Sequence, residues 1–152
     1  MSKILLMDIG NTRIKWGVLE NRALSGIDSL LTPHSRDFDL KPLFMSVPSD
    51  VKSIAASCVL SKKTQIKLAE SFSDNFELVI EFIESKNRFS GLTNGYNNPS
   101  KLGADRWAAM VGAHNEFGGN ILVVDMGTAI TIDYIDSEGM HKGGQILPGL
   151  KS

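Results

Sequence analysis

The feature that most constrains the fold of this chain is a repeated strand-and-turn segment. Residues 4–10 match residues 121–127, because in each copy an apolar strand ends in Asp-x-Gly. A threonine follows each glycine within two residues, and an alternating stretch typical of a second strand comes next. The copies are 117 residues apart, from Ile4 to Ile121. That spacing is close to one domain length and exceeds the roughly 20–50 residues of a solenoid repeat, so it indicates two related lobes.

The chemistry of the repeated segment suits a bound phosphate. A glycine lets backbone N–H groups approach a phosphate with no side chain in the way. Thr12 or Thr128 would add a hydroxyl donor, and Asp8 or Asp125 would hold a cation that neutralises the phosphates. One Asp-x-Gly after a strand is usually an ordinary turn. The presence of two copies favours a pair of hairpins that clamp a nucleotide.

The remaining patterns predict a mixed α/β fold, since strands and helices alternate after the first hairpin. Gly10 and Asn11 are typical of a tight turn between the first two strands, and Ser61 is a good N-cap. The segment 87–100, rich in Asn and Gly, predicts a loop. Strands are predicted at residues 3–9, 13–19, 23–31, 51–60, 77–83, 120–125 and 128–136, and helices at 37–44, 61–72 and 101–117.

Composition and charge exclude several classes of protein. The chain is 42% hydrophobic with a net charge of −1. The composition is that of a globular protein, and the charge gives no electrostatic reason to expect binding to nucleic acid or to a membrane surface. No apolar run approaches the roughly 20 residues of a membrane span. The one cysteine, Cys58, cannot form an internal disulfide. We therefore expect a cytoplasmic protein with no nucleic-acid or membrane partner.

A second group of candidate residues is Gly103-Ala104-Asp105-Arg106, at the predicted start of a helix. The free N–H groups and dipole of a helix start favour anions. Asp105 could act as a base or could stabilise the helix end. Arg106 could fork onto a substrate carboxylate or could pair with an acidic neighbour. The residues alone leave both choices open.

Other residues point to ordinary structural roles. His34, His114 and His141 lack the spacing of a metal site, so we expect them at the surface or at helix ends. Trp16 and Trp107 are expected in the core or at an interface, and Cys58 in a buried strand. The chain has no Walker loop and no G-x-G-x-x-G motif.

Four motifs in this order resemble those of the type III pantothenate kinases, which belong to the acetate kinase, sugar kinase, Hsp70 and actin superfamily. Residues 8–12, continuing to Lys15, resemble the first phosphate motif of that family. Residues 103–106, preceded by Tyr96, resemble its pantothenate motif. Residues 125–129 are similar to the second phosphate motif, and residues 143–149 to the glycine-rich segment that follows.

The resemblance implies an α/β fold of the actin-like, ribonuclease H-like type, with a mixed sheet and flanking helices. It places the first lobe at residues 1–117 and the start of a second, duplicated lobe at 118–152. Members of the family continue well past the position of Ser152. We therefore expect an incomplete second lobe, and we expect the 152-residue chain alone to fail to turn over ATP.

The resemblance also implies a function and roles for matching residues. The reaction would be ATP-dependent phosphorylation of pantothenate to 4'-phosphopantothenate, the first step of coenzyme A biosynthesis. Asp105 would be the catalytic base, and Asp125 would help to hold a monovalent cation, potassium or ammonium. Magnesium or another divalent cation would accompany ATP, and the protein would be a homodimer. The implied pantothenate-binding residues are Tyr96, Gly103, Ala104, Asp105 and Arg106. The implied ATP-binding residues are Asp8, Ile9, Gly10, Asn11, Thr12, Arg13, Ile14, Lys15 and Thr128.

The sequence leaves two non-catalytic alternatives open. Some relatives act as transcriptional accessory proteins, and a nucleotide-binding remnant without turnover would share the phosphate turns. The intact Asp105-Arg106 pair and the two phosphate turns favour catalysis. The near-neutral charge disfavours direct DNA contact.

Overall fold

A computed structural model describes residues 2–32 and 39–149, and the chain divides into two compact units, Met1–Ile83 and Glu84–Ser152. The first unit contains β1 (Lys3–Ile9), β2 (Arg13–Glu20), β3 (Ala23–Leu31), α1 (Lys41–Ser46), β4 (Val51–Cys58), α2 (Lys62–Phe76) and β5 (Ile80–Phe82). The second contains β6 (Arg88–Phe89), β7 (Leu92–Thr93), a 3-10 turn (Pro99–Lys101), α3 (Ala104–Phe117), β8 (Ile121–Met126), β9 (Ala129–Ile135) and β10 (His141–Pro148).

The first unit is built on a five-stranded mixed sheet in the order β3-β2-β1-β4-β5. β1, β2 and β3 form an antiparallel meander, whereas β4 lies parallel to β1 and β5 parallel to β4. Parallel neighbours need a crossover connection, which α2 supplies between β4 and β5. The mixed sheet with helices that the sequence predicted is confirmed.

The first hairpin forms because its sequence alternates between apolar and polar residues. Ile14, Trp16 and Val18 of β2 are buried, while Arg13 before Ile14 and Lys15 before Trp16 are exposed. This alternation places one face of the strand on the core. The predicted tight turn is also present, closed by a hydrogen bond of 2.9 Å from the Gly10 N–H to the Arg13 carbonyl.

Helix α2 covers the core of the first unit. Its buried Leu68 and Phe72 belong to the same cluster as Leu5 and Ile9 of β1. The predicted cap is confirmed, since the Ser61 hydroxyl accepts the Thr64 N–H. The helix runs past its predicted end at residue 72 to Phe76, because Phe76 also packs on the core. Among residues 2–32 and 39–149, no helix is long and apolar enough to cross a membrane.

Helix α1 was predicted at residues 37–44, and the structure places it at Lys41–Ser46. Residues 37 and 38 lie outside the described part of the chain. Pro42 is in the first turn of this helix, where a missing backbone N–H costs little. Leu43 and Phe44 of α1 pack on the core, and the Phe44 ring meets Phe72 edge-on at 5.0 Å between centroids.

The second unit has its own core below a three-stranded antiparallel sheet in the order β10-β9-β8. Helix α3 packs against β8 and β9. The buried residues of this core are Leu92, Leu102, Trp107, Met110 and Ile135. β10 and the short β6–β7 hairpin were not predicted. β10 contains Gly143 and Gly144, and glycine is a weak strand former.

The two copies of the repeated strand differ in burial. Leu5, Met7 and Ile9 of β1 are 0–5% exposed, whereas the matching residues of β8 are 48–69% exposed, namely Leu122, Val124 and Met126. The two copies therefore share the strand and its turn, but the side chains that are buried in β1 are exposed in β8. The lobe boundary predicted at residue 117 stays a prediction. The division of the chain into two compact units falls between Ile83 and Glu84.

The aromatic cluster under α2 gives a stability prediction. Replacing Phe72, which is 0% exposed, by alanine should lower the free energy of unfolding by roughly 3–5 kcal/mol, because a cavity forms in a packed core. Ile66→Ala on the same helix is the control, since Ile66 is 53% exposed and its truncation should cost less than about 1 kcal/mol. Urea unfolding measures both, and equal losses would contradict the packing described for α2.

Candidate functional site

In the first unit, Asp8 lies at the end of β1 between two neighbouring strands. Asp8 is paired with Lys15 of β2 on one side and with Ser57 of β4 on the other. The Ser57 hydroxyl donates to Asp8 Oδ1 at 2.8 Å, and Lys15 Nζ lies 3.3 Å from Oδ2. Asp8 is about half exposed. The carboxylate is therefore oriented and still accessible. Ser57 was not identified from the sequence, since one serine in an apolar strand carries no distinctive pattern.

The first turn is braced by Thr32, which directly follows β3. The Thr32 hydroxyl donates to the Gly10 carbonyl at 2.8 Å, and the Thr32 N–H donates to the Thr12 carbonyl at 2.8 Å. Asn11, Thr12 and Arg13 are exposed at this turn. The structure thus keeps the turn rigid while its predicted ATP-binding side chains remain available to a ligand.

Two predicted ATP-binding residues have buried side chains. Ile9 and Ile14 are both 0% exposed and belong to the core of the first unit. Only the main chain of these two residues can face a nucleotide.

The second Asp-x-Gly turn is shorter than the first. The Gly127 N–H donates to the Ala129 carbonyl at 3.0 Å, and the Gly149 N–H donates to the Thr128 carbonyl at 3.1 Å. A Cβ on Gly149 would lie 2.6 Å from the Gly127 carbonyl oxygen, so a side chain is excluded there. The glycine-rich segment therefore braces the second turn, and Asp125 and Thr128 are exposed beside it.

Asp105 lies in the first turn of α3. Its Oδ1 accepts the Arg106 N–H at 2.8 Å, which satisfies one of the unpaired donors of the helix start. Asp105 is only partly buried. A Cβ on the N-cap residue Gly103 would lie 2.5 Å from Asp105 Oδ1, so the glycine makes room for the carboxylate. Asp105 stabilises the helix end, as one of its two predicted roles required, and it remains accessible for the other.

The Arg106 side chain turns inward and pairs with Asp133 of β9. Its Nε donates to Asp133 Oδ2 at 2.8 Å and its Nη2 to Oδ1 at 2.6 Å. Its Nη1 donates to the Tyr96 hydroxyl at 3.3 Å. Of the two roles open for Arg106, the structure shows pairing with an acidic neighbour. It also brings together Tyr96 and Arg106, two residues of the predicted pantothenate site, while Ala104 begins α3 beside them.

Asp133 also contacts His141 of β10, whose Nε2 lies 2.8 Å from Oδ1. Both residues are 1% exposed. Burial opposes ionisation of Asp133, yet its hydrogen bonds with His141 and Arg106 outweigh burial and hold the pKa of this carboxyl below its ordinary value. The hydrogen bond to Asp133 likewise raises the pKa of Arg106 against burial. The pair is therefore ionised.

An ionised carboxylate only accepts hydrogen bonds, so His141 Nε2 carries the hydrogen that it shares with Asp133. Nδ1 of the same ring is buried and has no hydrogen-bond partner within residues 2–32 and 39–149. The predicted surface or helix-end position is wrong for His141, because the ring completes the surroundings of a buried carboxylate. The prediction is confirmed for His114, which lies in the last turn of α3. His34 lies outside the described residues.

Two glycines leave space for this cluster. Gly144 faces Asp133 across the sheet, and its Cβ would lie 2.6 Å from Arg106 Nη2 and would also collide with Asp133 Oδ1. A Cβ on Gly95 would collide with the His141 carbonyl oxygen. Both positions therefore require glycine for reasons of space.

Asn94 holds the loop that carries Tyr96. It is buried, its Oδ1 accepts the Tyr96 N–H at 3.0 Å, and its Nδ2 donates to the Lys86 carbonyl at 3.2 Å. Asn94 was not singled out from the sequence, where it is one of several asparagines in a loop. Within the part of the chain that the structure describes, no three His, Cys, Asp or Glu side chains are placed to hold a metal ion.

The contrast between two glycines provides a stability test of the cluster. Gly144→Ala should lower the free energy of unfolding by roughly 1–3 kcal/mol, because the added methyl overpacks the Arg106–Asp133 pair. Gly112→Ala is the matched control, since Gly112 lies in α3 with open space around it. Alanine there should raise the free energy of unfolding by roughly 0.5–1 kcal/mol. Chemical unfolding compares the two, and a neutral Gly144→Ala would contradict the tight packing.

Solved structures share the fold at low sequence identity. The Ppx/GppA phosphatase of Aquifex aeolicus (type II variant) aligns with a TM-score of 0.51 at 14% identity, over 97% of this chain and 52% of that one. An exopolyphosphatase from Cytophaga hutchinsonii aligns with a TM-score of 0.51 at 11% identity, over 97% of this chain and 50% of that one. At such identities the likeness concerns the fold alone.

Sequence comparison identifies the family. The family model for type III pantothenate kinase matches residues 4–152. Curated type III pantothenate kinases of Azoarcus sp. (strain BH72), Marinobacter nauticus and Laribacter hongkongensis are 34%, 36% and 37% identical. Each alignment covers 97% of this chain but only 55%, 60% and 59% of the relative. The chain thus spans little more than half the length of these relatives, and it belongs to the type III pantothenate kinase family.

Proposed function

We propose that this protein phosphorylates pantothenate with ATP to form 4'-phosphopantothenate, the first step of coenzyme A biosynthesis. The observation that carries the proposal is the arrangement around the start of α3. There an accessible Asp105 precedes an Arg106 that is held against Tyr96. Pantothenate has a hydroxyl to activate and a carboxylate to bind. It therefore requires a base that lies beside hydrogen-bond donors for an anionic group.

Asp105 would take the proton from the pantothenate hydroxyl as that oxygen attacks the γ-phosphorus of ATP. The bond from the γ-phosphorus to the bridging oxygen of the β-phosphate would break in the same step, and ADP would leave. Its position fits this role because the carboxylate is partly exposed and is oriented by the Arg106 N–H. Phosphoryl transfer depends mainly on positioning and on neutralising charge. The remaining residues would therefore hold the two substrates rather than form covalent bonds with them.

Each Asp-x-Gly turn carries residues that would contact ATP. At the first turn, the exposed side chains of Asn11, Thr12 and Arg13 would meet the phosphates. Asp8, with Lys15 at 3.3 Å, would contact the divalent cation that accompanies ATP, because a carboxylate meets a phosphate favourably only through a cation. Thr128 would add a hydroxyl from the second turn.

Asp125 would help to hold a potassium or ammonium ion. It is exposed at the end of β8 beside the second turn. It would supply one carboxylate ligand to that ion. When bound, such an ion would supply positive charge near the phosphates. We also propose that the protein works as a homodimer in the cytoplasm.

An ATP-consumption assay with pantothenate tests the proposal. The assay needs two samples, the 152-residue chain and the same chain extended by the C-terminal part of the Laribacter hongkongensis relative, which it matches over 59% of that protein. Pantothenate-dependent ATP consumption is expected from the extended protein and not from the short chain. A folded extended protein that binds ATP but consumes none with pantothenate would contradict the proposed reaction.

The role of Asp105 can be tested by Asp105→Asn in the extended protein. Turnover should fall by roughly 100-fold or more, the usual effect of losing a general base, while pantothenate binding should change much less. Glu116→Gln is the control, because Glu116 is exposed on the same helix and its substitution should leave turnover unchanged. Near-normal turnover by Asp105→Asn would remove this residue from the catalytic role.

The role of Asp125 predicts a dependence on the monovalent cation. Turnover should be high in potassium or ammonium and weak in sodium, because a weakly hydrated ion sheds water more easily for the carboxylate and phosphate oxygens. Asp125→Asn should abolish the difference between the salts. Rates measured at equal ionic strength check this, and equal turnover in sodium and potassium by the unsubstituted protein would contradict it.

A further inference from the structure

The hydrogen bonds of Arg106 determine which of its edges can meet a ligand. A guanidinium has five N–H groups. Nε–H and one N–H of Nη2 are donated to Asp133, and one N–H of Nη1 is donated to the Tyr96 hydroxyl. The backbone of Gly144 lies against Nη2, since even a Cβ would approach it to 2.6 Å. The edge left for a ligand is therefore Nη1.

The Tyr96 hydroxyl lies beside that edge. Because it accepts a hydrogen bond from Arg106 Nη1, its own hydrogen can be donated elsewhere. Arg106 Nη1 and the Tyr96 hydroxyl oxygen lie 3.3 Å apart, so together they form a pair of adjacent donors. Two adjacent donors are the geometry that binds both oxygens of a carboxylate.

His141 connects the two donors to Asp133. Its Nε2 donates to Asp133, and its ring stacks on Tyr96 with 5.8 Å between centroids and 12° between planes. The four side chains thus form a closed cycle of contacts from Asp133 through Arg106, Tyr96 and His141 back to Asp133. Neither the guanidinium nor the phenol can turn without breaking a contact of a residue that is 1% exposed.

We propose that Asp133 and His141 are positioning residues that hold Arg106 Nη1 and the Tyr96 hydroxyl as a two-donor fork for the carboxylate of the substrate. The proposal rests on the proposed function, because pantothenate supplies that carboxylate. Asp133 balances the charge of Arg106, so the fork selects the carboxylate by the direction of its donors more than by net charge. Because the Arg106 side chain is already held in one direction, it does not lose on binding the rotamer entropy that a free arginine would lose.

The first test examines the fork without any ligand. In ¹⁵N NMR spectra of the chain, the Arg106 Nε–H should exchange slowly with water, because it is buried and donated to Asp133. Asp133→Asn should speed this exchange at least tenfold. The Nε–H of Arg13, an exposed residue, is the internal reference and should not change. Unchanged protection of Arg106 in Asp133→Asn would overturn the proposal.

The second test measures whether the fork binds a ligand through its carboxylate. Calorimetry compares pantothenate with panthenol, the alcohol that lacks the carboxylate, on the 152-residue chain and on its extended form. Asp133→Asn should weaken pantothenate binding about tenfold or more, as expected for a lost charge-assisted hydrogen bond, and should leave panthenol binding within about twofold. Glu138→Gln, at an exposed position, should change neither.

His141→Phe is the second variant, which covers the case in which Asp133→Asn does not fold. Phenylalanine keeps an aromatic ring on Tyr96 but removes the Nε2–H, so it should show the same selective loss for pantothenate with a smaller magnitude. Equal losses for pantothenate and panthenol would indicate a purely structural role and overturn the proposal. If the unsubstituted proteins bind neither ligand, the proposed function and the carboxylate assignment both fail, and the NMR result alone decides whether Asp133 fixes Arg106.

Discussion

The buried ion pair between Arg106 and Asp133 is the interaction on which the second unit depends. Removing two charges from water is costly, and the cost is offset only when geometry and additional hydrogen bonds are good. Here the carboxylate receives two hydrogen bonds from Arg106 and one from His141. Because these residues come from α3, β9 and β10, and Tyr96 from the preceding loop, one electrostatic requirement fixes a helix, two strands and a loop together.

The sequence predicted the first unit well because its signals are local. Alternation in residues 13–19 and the turn at Gly10 are enough to specify a hairpin, and Ser61 marks the start of α2. The end of α2 was less predictable, since it depends on Phe76 reaching an aromatic cluster formed with Phe44 and Phe72. Packing of that kind joins residues distant in the chain and leaves no short pattern.

The residues that surround Arg106 could not be predicted for a more specific reason. In β9, Ile130, Ile132 and Tyr134 look like the buried face, yet the structure buries Asp133 and Ile135 on the opposite face. A strand with apolar residues on both faces does not specify its register, and a shift of one residue exchanges the faces. Asp133 and His141 therefore appear as isolated polar residues in the sequence. The lobe boundary at residue 117 stays a prediction.

The uncovered face of β8 has a consequence for the fate of the chain in a cell. Residues 121–124 are Ile-Leu-Val-Val, with no charge and no proline, and among the described strands β8 lies at the edge of its sheet. Short uncharged segments of β-branched residues at a sheet edge are templates for aggregation. Asp125 directly follows this segment, and a carboxylate in that position opposes stacking of identical strands. The residue proposed to hold a cation would then also act as a gatekeeper during synthesis and folding.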